Sequence, residues 1–266
     1  MRNILSLRIY IFLILHWRRI SFAIMLYAIN ESGEKAMATP KGKAFCPACG
    51  RAVVARCGTR KARHWAHKHG EGCDPWFEET AWHLAWKSMV RPGCCEVVIR
   101  RGGMAHRADI IGNRKTVIEL QHSPIAPDEM RARERFYGRM IWVIDAAPFF
   151  GNMSFTWKGD YALMAWRYPR TALLAAKKPV YLHLPCGNIF RLECTYPKRY
   201  GRPLSGWGRF MGWKPFFHLY LSSVVKQEYS DGFQPDIIKG RSYHRPMHVS
   251  GCECRMEQEY PGCALH

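Results

Sequence analysis

The feature that constrains the fold most is a predicted hairpin that carries an acidic residue on each arm. Gly112-Asn113 is a turn signal flanked by β-branched residues, so a strand is expected on either side. A turn centred on Arg114 places Asp109 opposite Glu119, with their Cβ atoms about 5 Å apart. Two carboxylates in this position repel each other unless a cation lies between them. The spacing therefore predicts a carboxylate metal site.

Further polar side chains are expected at the same place. Alternation along the strands sends four of them to one side of the hairpin: Arg107, Asp109, Glu119 and Gln121. A helix is predicted just before it, over residues 77–89, and Glu79, His83 and Lys87 share one face of that helix. The spacing alone favours an ordinary solvated face. Beside the hairpin, the same face can instead deliver a third carboxylate to a metal.

The predicted elements follow one another in the order of an α/β fold with a mixed sheet. Pro127-Asp128-Glu129 predicts the start of a helix that ends near Gly138. The wholly apolar residues 141–144 predict a strand buried on both faces. The other predicted strands are residues 97–101, 105–111 and 116–122, followed by a hairpin of residues 179–184 and 188–194.

A small metal-bound module is predicted over residues 25–74. A Cys-x-x-Cys pair is followed by a His-x-x-His pair in a segment without long apolar runs, a pattern typical of tetrahedral zinc sites. The expected ligands are Cys46, Cys49 and His67, with His64 or Cys73 as the fourth. Structural Zn²⁺ would supply stability that such a segment otherwise lacks. Free thiols and packing histidines are the alternative.

The charge of the chain favours an anionic partner. It has 40 Lys and Arg against 21 Asp and Glu, a formal net charge of +19, which suits nucleic acid or an acidic membrane surface. Residues 196–217 interleave basic and aromatic side chains, which suits DNA with exposed bases. The basic ones are Lys198, Arg199, Arg202, Arg209 and Lys214, and the aromatic ones are Tyr200, Trp207, Phe210, Trp213 and Phe216. An aromatic core beside a solvated basic loop is the alternative.

Residues 1–24 are expected to be an extension outside any folded domain, added by an upstream start codon. Their apolar run, residues 9–15, is too short to cross a bilayer, so no integral membrane segment is expected. A peripheral membrane anchor is the alternative. The Cys-x-x-Cys spacing is more typical of metal binding in a cytoplasmic protein than of disulfides, so a cytoplasmic location is expected.

Five spaced motifs run through residues 79–145. They are Glu79-Thr80-x-Trp82-His83-x-x-Trp86-Lys87, His106-Arg107-Ala108-Asp109-Ile110, Val117-Ile118-Glu119-Leu120-Gln121-His122-Ser123-Pro124-Ile125, Arg133-x-x-x-Tyr137 and Trp142-Val143-Ile144-Asp145. Together they resemble the CoiA-like family of competence proteins, over about residues 25–145. The resemblance implies a nuclease-like domain of the PD-(D/E)XK type, in which helices flank a mixed sheet, preceded by a zinc-ribbon-like segment. It also implies a reaction, the hydrolysis of phosphodiester bonds.

The resemblance implies roles for the polar residues. Asp109 and Glu119 would ligate Mg²⁺ (or Mn²⁺). Many nucleases of this type place a lysine two residues after the glutamate, where this chain has Gln121. Glutamine can orient a water but supplies no positive charge, so Lys87, or else Arg107, is expected to replace the cation. The other expected roles are a third carboxylate from Glu79, acting through a water or a second ion, catalysis by His83, and DNA contacts from Arg107, Ser123, Arg133 and Tyr137.

The chain as a whole is interpreted as a DNA-processing protein in competence, recombination or mobile-element handling. Four parts are expected: the extension (1–24), a zinc-ribbon-like module (25–74), a nuclease-like core (75–150) and a basic, aromatic-rich C-terminal region (151–266). The expected activity is that of a Mg-dependent deoxyribonuclease. The expected partners are DNA, with single-stranded DNA as one option, and recombination proteins. The alternative is a catalytically degenerate adaptor that binds DNA.

Overall fold

Two separate β-sheets contain most of the secondary structure. The computed structural model describes residues 25–58, 63–68, 73, 79–196, 204–232 and 249–250. The chain divides into two units, Met1–Glu78 and Glu79–His266, with one sheet in each. The extension expected over residues 1–24 lies outside the described residues. Among those that are described, no helix has the length and apolarity needed to cross a membrane.

The first unit is a small antiparallel sheet with the strand order β2-β1-β3-β4-β5. Its strands are β1 (Tyr27–Asn30), β2 (Lys35–Met37), β3 (Lys43–Phe45), β4 (Ala52–Arg56) and β5 (His64–His67). In the turn between β1 and β2, Gly33 has a φ of 79°, a left-handed conformation that favours glycine. The buried cluster is small: Met25, Ala28, Ala38, Ala44, Cys46, Val53 and Trp65. Among the described residues of this unit, apolar burial is therefore modest, and a bound metal would add to its stability.

The second unit is a mixed sheet with the strand order β15-β10-β11-β14-β13-β12-β9-β8-β7-β6. Its strands are β6 (Cys95–Arg101), β7 (Met104–Ile111), β8 (Val117–Gln121), β9 (Met140–Asp145), β10 (Met153–Trp157), β11 (Ala162–Trp166), β12 (Val180–His183), β13 (Ile189–Tyr196), β14 (Leu204–Met211) and β15 (Val249–Ser250). The helices among the described residues are α1 (Ala81–Ser88), α2 (Pro127–Tyr137) and α3 (Trp213–Tyr220). The expected mixed α/β class is confirmed.

The middle of this sheet is parallel and buried. β8, β9 and β12 run in the same direction, and every residue of β9 is buried. This is the strand predicted from residues 141–144, and the prediction is confirmed. Neighbouring parallel strands need a crossover, which α2 provides between β8 and β9. As predicted, α2 begins at Pro127, whose fixed φ suits the first helical position.

The helices α1 and α2 lie on opposite faces of the parallel strands. Trp142 on β9 donates from its Nε1 to Glu134 of α2 at 3.1 Å. Val180 on β12 pairs with Trp142, so its side chain lies on the same face of the sheet as that of Trp142. His183 lies three positions after Val180, so its side chain lies on the opposite face. His183 Nδ1 accepts a hydrogen bond of 2.9 Å from Trp82 of α1. The central strands are therefore covered on both sides.

The sheet continues past residue 150, where a domain boundary was expected. β12 pairs in parallel with β9, and β13, β14, β11 and β10 follow in turn. β12 and β13 are the hairpin predicted over residues 179–194, whereas β14, β11 and β10 are not among the predicted strands. At Gly208 a Cβ atom would lie 2.2 Å from the carbonyl oxygen of Arg191, so glycine is required for β14 to lie this close to β13.

Candidate functional site

Four side chains of the first unit converge on one point. The ligand atoms of Cys46, Cys49, His67 and Cys73 all lie within 4.8 Å of one another. Cys46 Sγ lies 3.5 Å from Cys73 Sγ, and Cys49 Sγ lies 3.4 Å from His67 Nε2. Zinc bonds of about 2.0–2.3 Å in a tetrahedron separate such atoms by roughly 3.3–3.8 Å. The group can therefore hold a metal ion, and its donor set is consistent with structural zinc.

Local backbone geometry brings these ligands together. Cys46 follows β3, its amide bonds to the carbonyl oxygen of Arg51 at 2.8 Å, and its own carbonyl accepts from Gly50 at 2.8 Å. This tight turn folds Cys49 back towards Cys46. Gly50 has a φ of 72°, which few other residues adopt without strain.

Of the two residues expected as the fourth ligand, Cys73 lies in the group and His64 does not. The reason is the strand itself. His64 and His67 are the first and last residues of β5, three positions apart, so alternation sends their imidazoles to opposite faces of the sheet. The His-x-x-His spacing would bring both rings to one ion on a helix, but not on this strand.

The thiols of this group are crowded. A hydrogen bond with Cys46, burial and the neighbouring sulfur atoms raise the pKa of Cys73 far above its ordinary value. Thiols held this close cannot all ionise unless a cation offsets the charge. A bound divalent ion would provide that compensation.

The acidic pair of the second unit lies where two strands begin to separate. Ile110 pairs with Ile118 and Ile111 with Val117, which is the predicted register. At the next positions, Asp109 and Glu119, backbone amides donate to side-chain carboxylates instead of to carbonyl oxygens of the neighbouring strand. The amide of Leu120 donates to Asp109 Oδ2 at 2.9 Å, and the amide of Asp109 donates to Glu119 Oε1 at 3.3 Å. The two acidic groups therefore converge across β7 and β8, and both are buried.

Lys87 lies among three buried carboxylates. Its Nζ is 2.9 Å from Asp109 Oδ1, 2.8 Å from Glu79 Oε2 and 3.5 Å from Glu96 Oε1. The Lys87 side chain is fully buried, and so are those of Glu79 and Glu96 to within 1%. The polar face predicted on α1 is therefore not a solvated surface.

Glu96 is the member of this group that sequence reasoning missed. It lies on β6 opposite Asp109, because Cys95 pairs with Ile110 and Val97 with Ala108. The signal was the Gly102-Gly103 turn, whose φ angles of 55° and 76° suit a two-residue hairpin loop. Counting back from that turn gives the register and places Glu96 beside the acidic pair.

His83 fixes α1 against β8. Its Nε2 donates to the carbonyl oxygen of Leu120 at 3.0 Å, and its Nδ1 accepts from the amide of Thr80 at 3.1 Å. Thr80 caps the helix in return, so α1 starts at Ala81, four residues after the predicted start. The catalytic role expected of His83 stays a prediction, whereas its contacts position Lys87 on the same helix.

Arg133 holds Glu119 from α2. Its Nη1 lies 3.0 Å from Glu119 Oε2, and its Nε lies 3.1 Å from Glu129 Oε1. The Arg133 side chain is only 7% exposed. The guanidinium is therefore placed to orient Glu119. The DNA contact that the sequence led us to expect from Arg133 stays a prediction.

Burial is the largest influence on protonation in this acidic cluster. It raises the pKa of Glu79 to about 8, although Lys87 opposes the shift. Burial and then the charge of Asp109 raise the pKa of Glu119 to about 8, against the effect of Arg133. Burial would raise the pKa of Asp109 too, but Lys87, His83 and the amide of Leu120 bring it below its usual value. Two of the acidic groups thus hold protons that a further cation would displace.

The other expected site residues lie close by but make different contacts. Gln121 is buried and donates from Nε2 to the carbonyl oxygen of Ser123 at 2.7 Å. Arg107 is buried on β7, and Tyr137 is buried at the end of α2 with its ring 5.1 Å from that of Phe136. The DNA contacts expected of Arg107, Ser123 and Tyr137 stay predictions.

The basic and aromatic stretch over residues 196–217 divides between surface and core. Arg209 and Lys214 are exposed, whereas Lys198, Arg199, Arg202 and Tyr200 lie outside the described residues. Phe210, Trp213 and Phe216 are buried, so the expectation that they stack on bases is wrong for these three. Trp207 remains partly exposed. Most of the described aromatic residues therefore follow the alternative interpretation, an aromatic core.

Sequence comparisons connect this chain to competence proteins. Residues 30–75 match the family model described as Competence protein CoiA, N-terminal domain. A curated protein from Bacillus subtilis (strain 168), named Competence protein CoiA, is 33% identical over 101 residues. Both findings support the CoiA-like family. The aligned part is 34% of this chain and 26% of that protein, so the chain spans about a quarter of its relative. No solved structure matches the chain.

The family match agrees with the resemblance stated from the sequence motifs. The residues that it covers include all four members of the Cys/His group, Cys46, Cys49, His67 and Cys73. The N-terminal part with its candidate metal site is thus the part of the chain that resembles this family model.

Proposed function

We propose that this CoiA-like protein is a metal-dependent nuclease that hydrolyses phosphodiester bonds in DNA, with a PD-(D/E)XK-type core. The observation that carries the proposal is the convergence of Asp109 and Glu119 across β7 and β8, with Lys87 Nζ 2.9 Å from Asp109. A divalent ion, two carboxylates and a nearby ammonium are the groups that such hydrolysis needs. The mixed sheet with helices on both faces supports the same core type.

The charge of the acidic cluster fits a divalent cation. Among the described residues, four carboxylates of the cluster, Glu79, Glu96, Asp109 and Glu119, form ion pairs with two cations, Lys87 and Arg133. The pKa values of about 8 for Glu79 and Glu119 have the direction expected of a site that lacks positive charge. In addition, Glu79 Oε1 is buried without a hydrogen-bond partner among the described residues. Asp109 and Glu119 would hold Mg²⁺ or Mn²⁺, with Glu79 as the third carboxylate.

The residues around the ion would take distinct roles. When bound, the ion would lower the pKa of a coordinated water and offset the charge that develops on the phosphate. Lys87 would supply the ammonium that this chain lacks at position 121. Gln121, fixed by its bond to Ser123, would orient the attacking water through its side-chain oxygen. Arg133 would keep Glu119 in place from α2.

A specific observation favours the second candidate, a degenerate adaptor that binds DNA without cleaving it. Each oxygen of Asp109 and Glu119 already has an N–H partner, from Lys87, Arg133 or the backbone. The chain could therefore keep this arrangement without an ion. The wider role we propose, in either case, is the handling of DNA in competence, and the name of the relative supports competence. Recombination, recombination proteins as partners and a cytoplasmic location are proposed from the sequence alone.

The test is cleavage of labelled single- and double-stranded DNA in Mg²⁺, Mn²⁺ or EDTA. We expect cleavage that needs the metal and is abolished by Asp109→Ala or Glu119→Ala, while DNA binding persists. Asp128→Asn is the matched control, because that carboxylate is 93% exposed on α2. If Asp109→Ala and Glu119→Ala both still cleave DNA, this mechanism is excluded. Binding without cleavage in any metal would support the adaptor.

A further inference from the structure

Among the described residues, one face of the C-terminal part of the large sheet (the open face) carries exposed and partly exposed side chains. Along β14 the residues alternate between buried and exposed: Leu204, Gly206, Gly208 and Phe210 are buried, whereas Ser205 and Arg209 are exposed and Trp207 is partly exposed. Register places Leu163 of β11 beside Trp207 and Arg191 of β13 beside Arg209. Three neighbouring strands therefore present one continuous accessible surface.

Aromatic and cationic groups meet on this open face. The ring of Tyr161 lies 5.7 Å from that of Trp207, and the guanidinium of Arg209 lies 5.5 Å over the same indole. Beside them, the Leu163 side chain is 38% exposed. A partly exposed indole beside an arginine offers a surface on which a base can stack and, next to it, a cation that can contact the adjoining phosphate. An ordinary solvated sheet face would carry polar residues instead.

Arg191 of this face also lines a cavity of about 290 Å³ on the β13 side. The basic residues lining this cavity are Lys177, Lys178 and Arg191. Glu193 is its one acidic lining residue, and it lies 3.3 Å from Arg191 and 3.4 Å from Arg209. The cations thus outnumber the single carboxylate, and their arrangement is complementary to an anionic chain that crosses the sheet.

We propose that this open face binds a single-stranded nucleic acid, with bases stacked on Trp207 and Tyr161 and phosphates on Arg191 and Arg209. The inference rests on the proposed function, since it names the form of the substrate, a single strand. A flat face that offers rings for stacking selects unpaired bases, because the bases of a duplex already stack on each other. The formal net charge of +19 attracts the phosphate backbone.

The test is equilibrium binding of a fluorescent oligothymidine in EDTA, with a hairpin duplex as the competitor. We expect Trp207→Ala to weaken binding about tenfold, in line with roughly 1–3 kcal/mol for each stacked base. Arg209→Gln should weaken binding several-fold and reduce the salt dependence by about 0.7 in log–log slope for one lost phosphate contact. Arg114→Gln, an exposed arginine in the β7–β8 turn, is the matched control and should bind normally.

Glu193→Gln separates this proposal from simple misfolding. The substitution removes the carboxylate that pairs with both Arg191 and Arg209, so both arginines become available to phosphate and affinity for the oligonucleotide should rise. An unfolded protein could not show such a gain. Unchanged binding in Trp207→Ala, Arg209→Gln and Glu193→Gln together would overturn the proposal. Equal affinity for the duplex, with equal losses, would overturn the single-strand specificity.

The outcome is distinguishable from failure of the nuclease proposal. Oligonucleotide binding is measured in EDTA, so its outcome does not depend on metal-dependent cleavage at the acidic cluster of β7 and β8. Weakened binding in Trp207→Ala, in a protein that cleaves no DNA, would support the surface and exclude the nuclease. Normal binding in Trp207→Ala, Arg209→Gln and Glu193→Gln, in a protein that does cleave DNA, would exclude the binding surface and leave the nuclease proposal intact.

Discussion

The Cys/His group and the acidic cluster are both candidate metal sites, but they differ in how far other side chains compensate their negative charge. In the first, three thiols and an imidazole converge, and Arg51 Nε donates to Cys49 Sγ at 3.5 Å on the exposed side of the group. In the second, the buried cations Lys87 and Arg133 lie directly against the carboxylates. The charge of three ionised thiols would therefore need an ion for compensation, whereas the acidic cluster is partly compensated by buried side chains of the protein.

This difference separates a structural ion from an exchangeable one. The unit around Cys46 has a small apolar cluster, so the binding energy of a metal would contribute directly to its folding. The unit around Asp109 has a larger buried sheet, so its folding would depend less on an ion. Under the proposed function, a metal bound there would be exchangeable.

The largest effect should follow loss of a thiol ligand. We expect Cys46→Ser to lower the zinc content from about one ion to nearly none and to unfold the first unit, since structural zinc contributes about 10–16 kcal/mol in small modules. Metal analysis and circular dichroism would measure both effects. His64→Asn is the control and should retain the metal, because His64 lies outside the group. Unchanged zinc in Cys46→Ser, or equal loss in His64→Asn, would contradict this assignment.

A smaller effect should follow removal of the buried ammonium in the second unit. We expect Lys87→Met to lower the free energy of unfolding by about 3–5 kcal/mol, because uncompensated carboxylates stay buried. Chemical denaturation would measure it. Adding Glu96→Gln to this variant should recover part of the loss.

The matched control for Lys87 is Arg131→Met on α2. Its ion pair with Asp128 is exposed, and such pairs contribute about 0–1 kcal/mol. If Lys87→Met is no more costly than Arg131→Met, then Lys87 does not compensate the cluster, and the contrast between the two sites disappears.

A third effect concerns pH and is spread over several pH units. The folded pKa values of Glu79 and Glu119 are about 8, above the ordinary value of 4.5, so the folded state retains protons that the unfolded chain has lost. Stability of the second unit in EDTA should therefore fall as pH rises from about 4.5 to about 8 and level off above. Asp109 shifts the other way, and its contribution is lost only at acid pH.

Denaturation at a series of pH values would measure this slope. Saturating Mg²⁺ should make it shallower, because the ion favours the ionised carboxylates that protons otherwise neutralise. A Glu79→Gln/Glu119→Gln variant should show little slope in either condition. If that variant keeps the full slope, other groups cause it.

The sequence predicts the local parts of this molecule better than its long-range ones. The register around Arg114 and the burial of β9 follow from turn residues and apolar runs, which act over a few positions. The strand β14 was not predicted, because its pairing with β13 and β11 depends on Gly206 and Gly208, which are weak strand signals when read alone.

The candidate sites show the same limit. Spacing identified Asp109, Glu119 and the first three Cys/His residues, but it could not separate Cys73 from His64, because that choice depends on the faces of β5. Glu96 was missed because its position beside Asp109 follows from the register of β6 with β7, counted back from the Gly102-Gly103 turn, and not from its local spacing. Burial of Arg133 likewise depends on how α2 packs on the sheet.

The central claim is that Asp109 and Glu119 share a divalent ion. Crystals soaked in Mn²⁺ would test it most directly, through the anomalous scattering of the metal. We expect a peak within about 2.0–2.6 Å of oxygen atoms of both carboxylates, with Lys87 Nζ moved away from Asp109 Oδ1. A map with no peak there at saturating Mn²⁺, and Lys87 still bound to Asp109, would contradict the account.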